Sequence, residues 1–534
     1  MLNDSLWQFT GIEYLYEQFT PLTPYGIAWK NSREFITDHV ALKGIYDLTE
    51  AALQFINAEP EKADKVSWHL RRLPMVQCSH QANLQLHEIF QYKKFLLNYR
   101  QIIRVLPEEL RQLFGLSFDS KELLSKLDID KTEHETFYVS SKYDDNLRVI
   151  RQAIHERDDD MKKRKAEFCQ KLIQQFQLDF RFRDFLVIPN ESAAALPQDR
   201  VFLEPYDSCH VIVKPIFDQG YQQLLANRSR LVAKEKQLEQ KIGAELSEWI
   251  TNEAPTINGY TQVARQLDIA FAHARLALQF NLTRPVINTR GIPISIKNGK
   301  LLPMAEQCSS MSLQYWPLNV DFSEPVAVLH GSNMSGKTAV LQTIGFLQLS
   351  AQLGMFVSAE KYETMVFDEI CFVGNIAWQK IKGLSSFGQE MAVLIEALQN
   401  KTKNAYKLLL IDELARTTNS AEATALLSGL LQSLSQQTGL RSYIASHYYG
   451  LPKLARLAYY KMKGINWAGL LDKERATDRN LMERIQVIQK HMQYEIEPDN
   501  AKPDRDAIRI ARLLGLNSEI VDYAQQYLDQ ENVL

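Results

Sequence analysis

Eight consecutive residues, Gly331-Ser332-Asn333-Met334-Ser335-Gly336-Lys337-Thr338, satisfy the spacing GxxxxGK[ST] at every fixed position. The chemistry that spacing serves is phosphate binding. Glycines let backbone N–H groups turn inward onto phosphate oxygens, and a following helix N-terminus adds a positive dipole. Lys337 would reach the β- and γ-phosphates of ATP, and Thr338 would ligate Mg2+. A second element, KLLLIDEL, ends an apolar run in Asp412-Glu413. Asp412 would hold Mg2+, directly or through water, and Glu413 would orient or deprotonate an attacking water. An apolar run closed by two acids is common; its position 75 residues after Lys337 gives it weight. His447, in YIASHYYGL, ends the next strand-like run, 35 residues after Asp412. A lone histidine is more often structural, but this position suits a γ-phosphate sensor. The segment GLSSFGQEM, 383–391, could form an anion-binding loop, although on its own it reads as a turn before a helix.

These residues need a sheet edge and a helix N-terminus to carry them. PVAVLHG before the glycine-rich loop has a buried-strand pattern, and AVLQTIGFLQLSAQL after it reads as a helix. From PVINTRGIPISIKNGKLLP onward strands and helices alternate, which predicts a largely parallel α/β domain. Ahead of it the chain reads as helical. Residues 1–110 carry apolar positions at spacings of three and four. Two long, charged helices follow, at about 141–178 and 216–252, and suit an antiparallel stem; two separate surface helices would read alike. Between them Phe185–Pro189, Val201–Glu204 and Cys209–Lys214 have the pattern of short strands, a small β tip. QVARQLDIAFAHARLALQF, after residue 253, is helical again.

The bulk properties are those of a globular chain. With 534 residues, 45% hydrophobic and 23% charged, three or four domains are expected. A net charge of −3 excludes a global positive field, so any basic surface is local. Five widely spaced cysteines without a CxxC pair read as reduced thiols in a cytoplasm. Cys78, His80 and His87 lack a fourth ligand and make a poor metal site. The start, MLNDSLWQFT, has no signal-peptide pattern, and no apolar run is long enough to span a membrane.

Taken together, the motifs resemble the MutS family. Gly331–Thr338 is similar to its GPNMGGK[ST] loop, with Asn333 and Met334 retained. DELARTTN at 412–419 is similar to DE[IL]GxGT[SD], Ser446-His447 to a Thr-His pair, and Ser385-Ser386-Phe387 with Glu390-Met391 to an STF…EM loop. LDIAFAHARLALQF looks like the family's connecting helix, and KTAVLQTIGFLQLSAQLGMFVSA is closest to the second bacterial branch. ARLLGLNSEIVDYAQQYL is similar to its C-terminal helix-turn-helix; TPYG and the stem match the lever and clamp more loosely. The resemblance implies an ABC-type ATPase working as a homodimer, with Ser385 and Ser386 offered to the partner's nucleotide. It implies a helical core and lever over 1–140 and a clamp-like stem over 141–252, with its tip at about 179–214. Connecting helices over 253–285, the P-loop ATPase domain over 286–500 and a dimerising helix-turn-helix over 501–534 complete the expected multidomain fold.

The departures bear on the task performed. Ser332 replaces a proline, Ala415-Arg416-Thr417-Thr418 lacks the family's glycines, and IKNGKLLP is a reduced version of the usual segment. Neither a mismatch-reading domain with its Phe-x-Glu wedge nor a nuclease-like module is visible. Over 179–214 the bases Arg181, Arg183, Arg200 and Lys214 face six acids, leaving −2, a poor phosphate grip. Two readings stay open: a DNA-binding ATPase related to mismatch repair, coupling ATP to clamp movement, or an ATPase that remodels a protein partner. The family also has members resembling chaperone ATPases that reactivate cobalamin-dependent aminomutases, which suit the second.

Overall fold

A computed structural model of the chain describes residues 4–76, 84–131, 138–288, 294–331, 335–374, 385–399, 405–415, 418–448, 450–467, 484–485, 488, 490–499 and 506–530. By packing, the chain forms two units: one takes residues 68–107 and 115–263, the other 1–67, 108–114 and 264–534. The division is not serial, because the N-terminal helices share a core with the C-terminal half.

In the first unit two long helices, Asp145–Phe176 and Gln219–Asn252, run antiparallel. Asp144 and Asp218 cap their N-termini, each accepting a backbone N–H. Few of their positions are apolar, so ion pairs between the helices set the register. Arg151 reaches Glu235 and Glu239, both at 2.7 Å, Arg228 reaches Asp158 at 2.5 Å, and Arg164 reaches Asp218 at 2.9 Å. Between the helices lie β1 (Leu186–Pro189), β2 (Val201–Pro205) and β3 (His210–Pro215). They form an antiparallel sheet in the order β1-β3-β2. Alternation puts Leu186, Ile188, Val201, Leu203, Val211 and Val213 on the face packed with Cys169, Leu172 and Phe180. Each strand lies within a residue or so of its expected place.

The second unit holds the remaining strands: β4 (Val286–Asn288), β5 (Ser295–Gly299), β6 (Leu318–Asp321), β7 (Val326–His330), β8 (Lys361–Met365), β9 (Glu369–Val373), β10 (Lys407–Asp412), β11 (Leu440–Ser446), β12 (Leu457–Ile465) and β13 (Met492–Pro498). A six-stranded sheet has the order β13-β12-β7-β11-β10-β9, parallel except for β13. A four-stranded sheet has the order β4-β8-β5-β6. Strands β7 and β11 are buried throughout, as central parallel strands covered on both faces must be.

The helix Lys337–Gln352 is buried at 13 of its 16 positions. Helix Asp4–Thr10 covers part of it, and Phe9 stacks on Phe372 with ring centroids 3.7 Å apart. A side chain at Gly345 would come 2.6 Å from the Thr10 methyl, so the approach requires glycine. The C-terminal turn of the same helix carries fully buried amides, all of them bonded. Gln348 accepts from the Tyr362 and Thr364 hydroxyls, both at 2.6 Å. Gln352 donates to the Ile36 and Phe367 carbonyls at 3.0 and 2.7 Å and accepts from the Phe367 N–H at 3.0 Å. The Ile36 N–H donates in turn to the Gln352 carbonyl at 2.9 Å. Asp268, fully buried, accepts from the Thr23 N–H and hydroxyl, both at 2.7 Å, and so fixes the start of helix Pro24–Ser32. Among the described residues, no helix is long and apolar enough to cross a membrane.

Candidate functional site

Strands β7, β11 and β10 are neighbours and parallel, so their C-terminal ends share one sheet edge. His330 ends β7 and leads into Gly331; Asp412 ends β10; Ser446 ends β11 and His447 follows it. This edge of an open parallel sheet is where ligands bind. The glycine-rich loop then turns into helix Lys337–Gln352 at Gly336, whose φ of +98° puts it in the left-handed region. A side chain there would also meet the Tyr494 ring at 2.8 Å. Ser332, Asn333 and Met334 lie outside the described residues.

The described residues of the motif converge. The Lys337 ammonium is buried and donates to the Gly331 carbonyl at 2.7 Å, with the Glu413 carboxylate at 3.9 Å. Thr338 donates to both carboxylate oxygens of Asp412, at 3.0 and 3.2 Å. The Ser335 hydroxyl is buried without a partner among the described residues, in a loop built to surround anions. Behind the loop, burial lowers the His330 imidazole below its usual value; Asp499 opposes the shift and Lys337 adds to it. A hydroxyl and a carboxylate brought together are the hard oxygen donors that Mg2+ takes, so Thr338 and Asp412 fit that ion.

The turn after Asp412 has an unusual backbone. Glu413 and Ala415 both have left-handed φ, +54° and +61°, a conformation that costs an L-residue about 1–2 kcal/mol. The motif it resembles has glycine where Ala415 stands, and glycine takes this conformation without that cost. Hydrogen bonds hold it, among them one from the Thr418 N–H to the Ala415 carbonyl at 3.4 Å. The Glu413 N–H donates to the Ala445 carbonyl at 3.1 Å, the Ala415 N–H to Glu390 at 2.7 Å, and the Tyr448 hydroxyl to the Ala415 carbonyl at 3.1 Å. His447 is exposed, its ring against that of Tyr448 with centroids 4.2 Å apart. Tyr448 and His330 have no role in the sequence reading, and Glu390 enters it only as part of the segment resembling an STF…EM loop. Glu390 and Tyr448 act on a backbone turn, which side-chain patterns do not report.

Ser385 caps the helix Ser386–Leu398, accepting from the Gly388 N–H at 3.2 Å. Ser385 and Ser386 are exposed, and no hydrogen bond joins either to the described residues of the chain's own glycine-rich loop. Next to that loop lies a cavity of about 480 Å³, lined by Gly336, Val340 and Thr343 on the helix side and by Tyr315, Trp316 and Tyr494. Flat aromatic walls beside a phosphate loop suit a planar base.

A buried strand, a phosphate loop, a helix and an acidic pair at the end of the strand two places along the same sheet define a P-loop ATPase domain. Residues 327–531 match the family model described as MutS domain V, an ATPase domain. The chain is 29% identical over 309 residues to Endonuclease MutS2 of Caldanaerobacter subterraneus subsp. tengcongensis, covering 57% of this chain and 35% of that protein. It is 30% identical over 219 residues to DNA mismatch repair protein MutS of Lactobacillus acidophilus, 41% of this chain and 25% of the relative. With DNA mismatch repair protein MutS of Chlorobium chlorochromatii it is 27% identical over 303 residues, 56% and 32% of the two chains. The C-terminal part of the chain thus matches MutS domain V, an ATPase domain, and the chain has distant similarity to MutS2 and MutS over about half its length. The matched region spans between 25% and 35% of these relatives' length.

Proposed function

We propose that the chain hydrolyses ATP to ADP and phosphate at a site made by Gly331–Thr338, Asp412, Glu413 and His447. The observation that carries this is the meeting of Thr338 with Asp412, and of Lys337 with Glu413, at one sheet edge. Lys337 moves from the Gly331 carbonyl to the β- and γ-phosphates when nucleotide binds. Mg2+ held by Thr338 and Asp412 supplies charge neutralisation at the phosphates. Glu413 accepts a proton from water as its oxygen attacks the γ-phosphorus and the bond to ADP breaks. His447 senses the γ-phosphate, and the aromatic cavity takes the base. The site works in a homodimer, where Ser385 and Ser386 complete the partner's site. Support comes from their exposure and from Leu516, Ile520, Tyr523 and Tyr527, exposed apolar residues spaced by four, three and four on the C-terminal segment.

The names of the relatives favour a DNA-directed task, with ATP coupled to movement of the stem. A second reading, a protein client, rests on the tip: Arg181 pairs with Asp179 at 2.6 Å, Arg200 binds Gln175 at 2.7 Å, and Lys214 pairs with Glu204. Those cations are already engaged, while Phe182 is 92% exposed. The test of the ATPase assignment is a pair of variants. Glu413→Gln should bind ATP but turn over at least ~100-fold more slowly, because base catalysis contributes about that much. Lys337→Ala should lose ATP affinity itself. Normal turnover in Glu413→Gln would remove Glu413 from the mechanism.

A further inference from the structure

The turn that carries Glu413 would not hold its shape unaided. Two non-glycine residues in left-handed conformation, Glu413 and Ala415, stand within three positions, and such backbone persists only where its surroundings over-determine it. The Ala415 residue is gripped at both polar groups: Glu390 takes its N–H and the Tyr448 hydroxyl binds its carbonyl. Glu390 lies one turn past Ser386 on the same helix, and therefore on the same face. That helix is also fixed at its far end. Lys407, buried at the start of β10, donates to the Ala397 and Gln399 carbonyls, both at 2.9 Å, and pairs with Glu369 at 3.1 Å. One helix is thus bonded at both ends to the strand and turn that carry Asp412 and Glu413. A shift of the helix reaches the turn instead of being absorbed.

We infer that Glu390 is a positioning residue for ATP hydrolysis, holding the Glu413 turn through the Ala415 N–H and tying it to the helix headed by Ser385 and Ser386. Tyr448 holds the same residue from its carbonyl side. The inference rests on the reading of Glu413 as the general base. It gives the acid of Glu390 no contact with nucleotide. What the Ala415 N–H needs from Glu390 is an acceptor oxygen, which an amide also offers. Glu390 is also dispensable where the base itself is gone.

The experiment is steady-state ATPase kinetics of the full chain, with binding of a fluorescent ATP analogue and thermal melting measured alongside. Glu390→Ala should lower kcat by ~10–100-fold, the scale of a small misplacement of a reacting group. KM and analogue affinity should stay within ~2-fold, since ground-state binding is untouched. Glu390→Gln, which keeps an acceptor oxygen, should retain most of the activity. Adding Ala415→Gly to Glu390→Ala should recover part of the loss, because glycine takes the left-handed shape without help. In a Glu413→Gln background Glu390→Ala should cost nothing more. Tyr448→Phe keeps the ring packing and should give a smaller fall in kcat with the same lack of additivity, which serves if Glu390→Ala folds poorly. Full activity in Glu390→Ala, equal losses in Glu390→Gln and Glu390→Ala, or additive losses with Glu413→Gln would each overturn the inference. Normal turnover in Glu413→Gln overturns the base assignment as well; an inactive Glu413→Gln beside a fully active Glu390→Ala overturns only the role of Glu390.

Discussion

Single side chains in this protein show how burial selects a charge state. His273 is enclosed between Phe19, at 4.4 Å between ring centroids, and Trp29, at 6.0 Å, and neither ring nitrogen has a partner among the described residues. Burial pushes its imidazole down to about 3. In the unfolded chain the ring titrates near 6.5, so the unfolded state binds the extra proton between those values. The stability due to a neutral His273 is therefore complete above about pH 6.5 and is lost as pH falls toward 3. His273→Phe should fold, remove two unsatisfied nitrogens and flatten the acid side of the stability curve. Urea denaturation of both proteins at pH 7 and pH 5 checks this. An unchanged difference in stability at the two pH values would mean that the ring does not titrate as its burial requires. Nothing in LDIAFAHARLALQF marks this histidine as buried and unbonded, since its aromatic neighbours come from a segment some 250 residues away in sequence.

At the scale of elements, what the sequence discloses follows from how local the signal is. The strand before Gly331, the helix after Thr338 and the acidic strand end at Asp412 each announce themselves within ten residues, through burial pattern or glycine spacing. The three tip strands do so as well, and the two long helices can be read from their charge pattern, although their antiparallel pairing cannot. The sheet order β13-β12-β7-β11-β10-β9 does not, because parallel neighbours are chosen by packing across long connections. Nor does the grip on Ala415, which needs Glu390 and Tyr448 from elements on either side of it in the chain. The C-terminal helices Asp506–Leu514 and Ser518–Gln530 pack on each other and leave Ile520 and Tyr523 more than half exposed. If this seam joins two copies, Ile520→Asp/Tyr523→Asp should shift the mass measured by light scattering from dimer to monomer. ATPase activity should fall with it, because Ser385 and Ser386 would then have no partner site to complete. A dimer that survives the double substitution would move the interface elsewhere.

For the molecule as a whole, charge decides between partners. A net charge of −3 gives no global positive field, and the tip adds ion-paired arginines to a balance of −2. Phosphate binding shows itself as a steep fall of affinity with salt, because each neutralised phosphate releases counterions. We expect weak, salt-shallow binding to duplex DNA and no preference for a mismatch. Salt titration of matched and mismatched duplexes, for wild type and Arg181→Ala/Arg183→Ala/Arg200→Ala, measures it. Tight binding that collapses in the triple variant would restore the DNA grip; binding near background would direct the search to a protein client, with the Glu413→Gln form as bait.

The bonds between Gln352 and Ile36 have a consequence for how this protein can be taken apart or recombined. A fragment cut at residue 286, where the strand-rich half begins, would strip the Ile36 carbonyl from the Gln352 amide, the Ile36 N–H from the Gln352 carbonyl, and Thr10 from Gly345. It would leave a helix built for burial facing water on one side, its Gln352 amide nitrogen left with the Phe367 carbonyl. The nucleotide half is therefore not a cassette. A graft onto another protein, by an experimenter or by gene fusion, should carry the first forty residues with it, even though more than two hundred residues separate them in the chain.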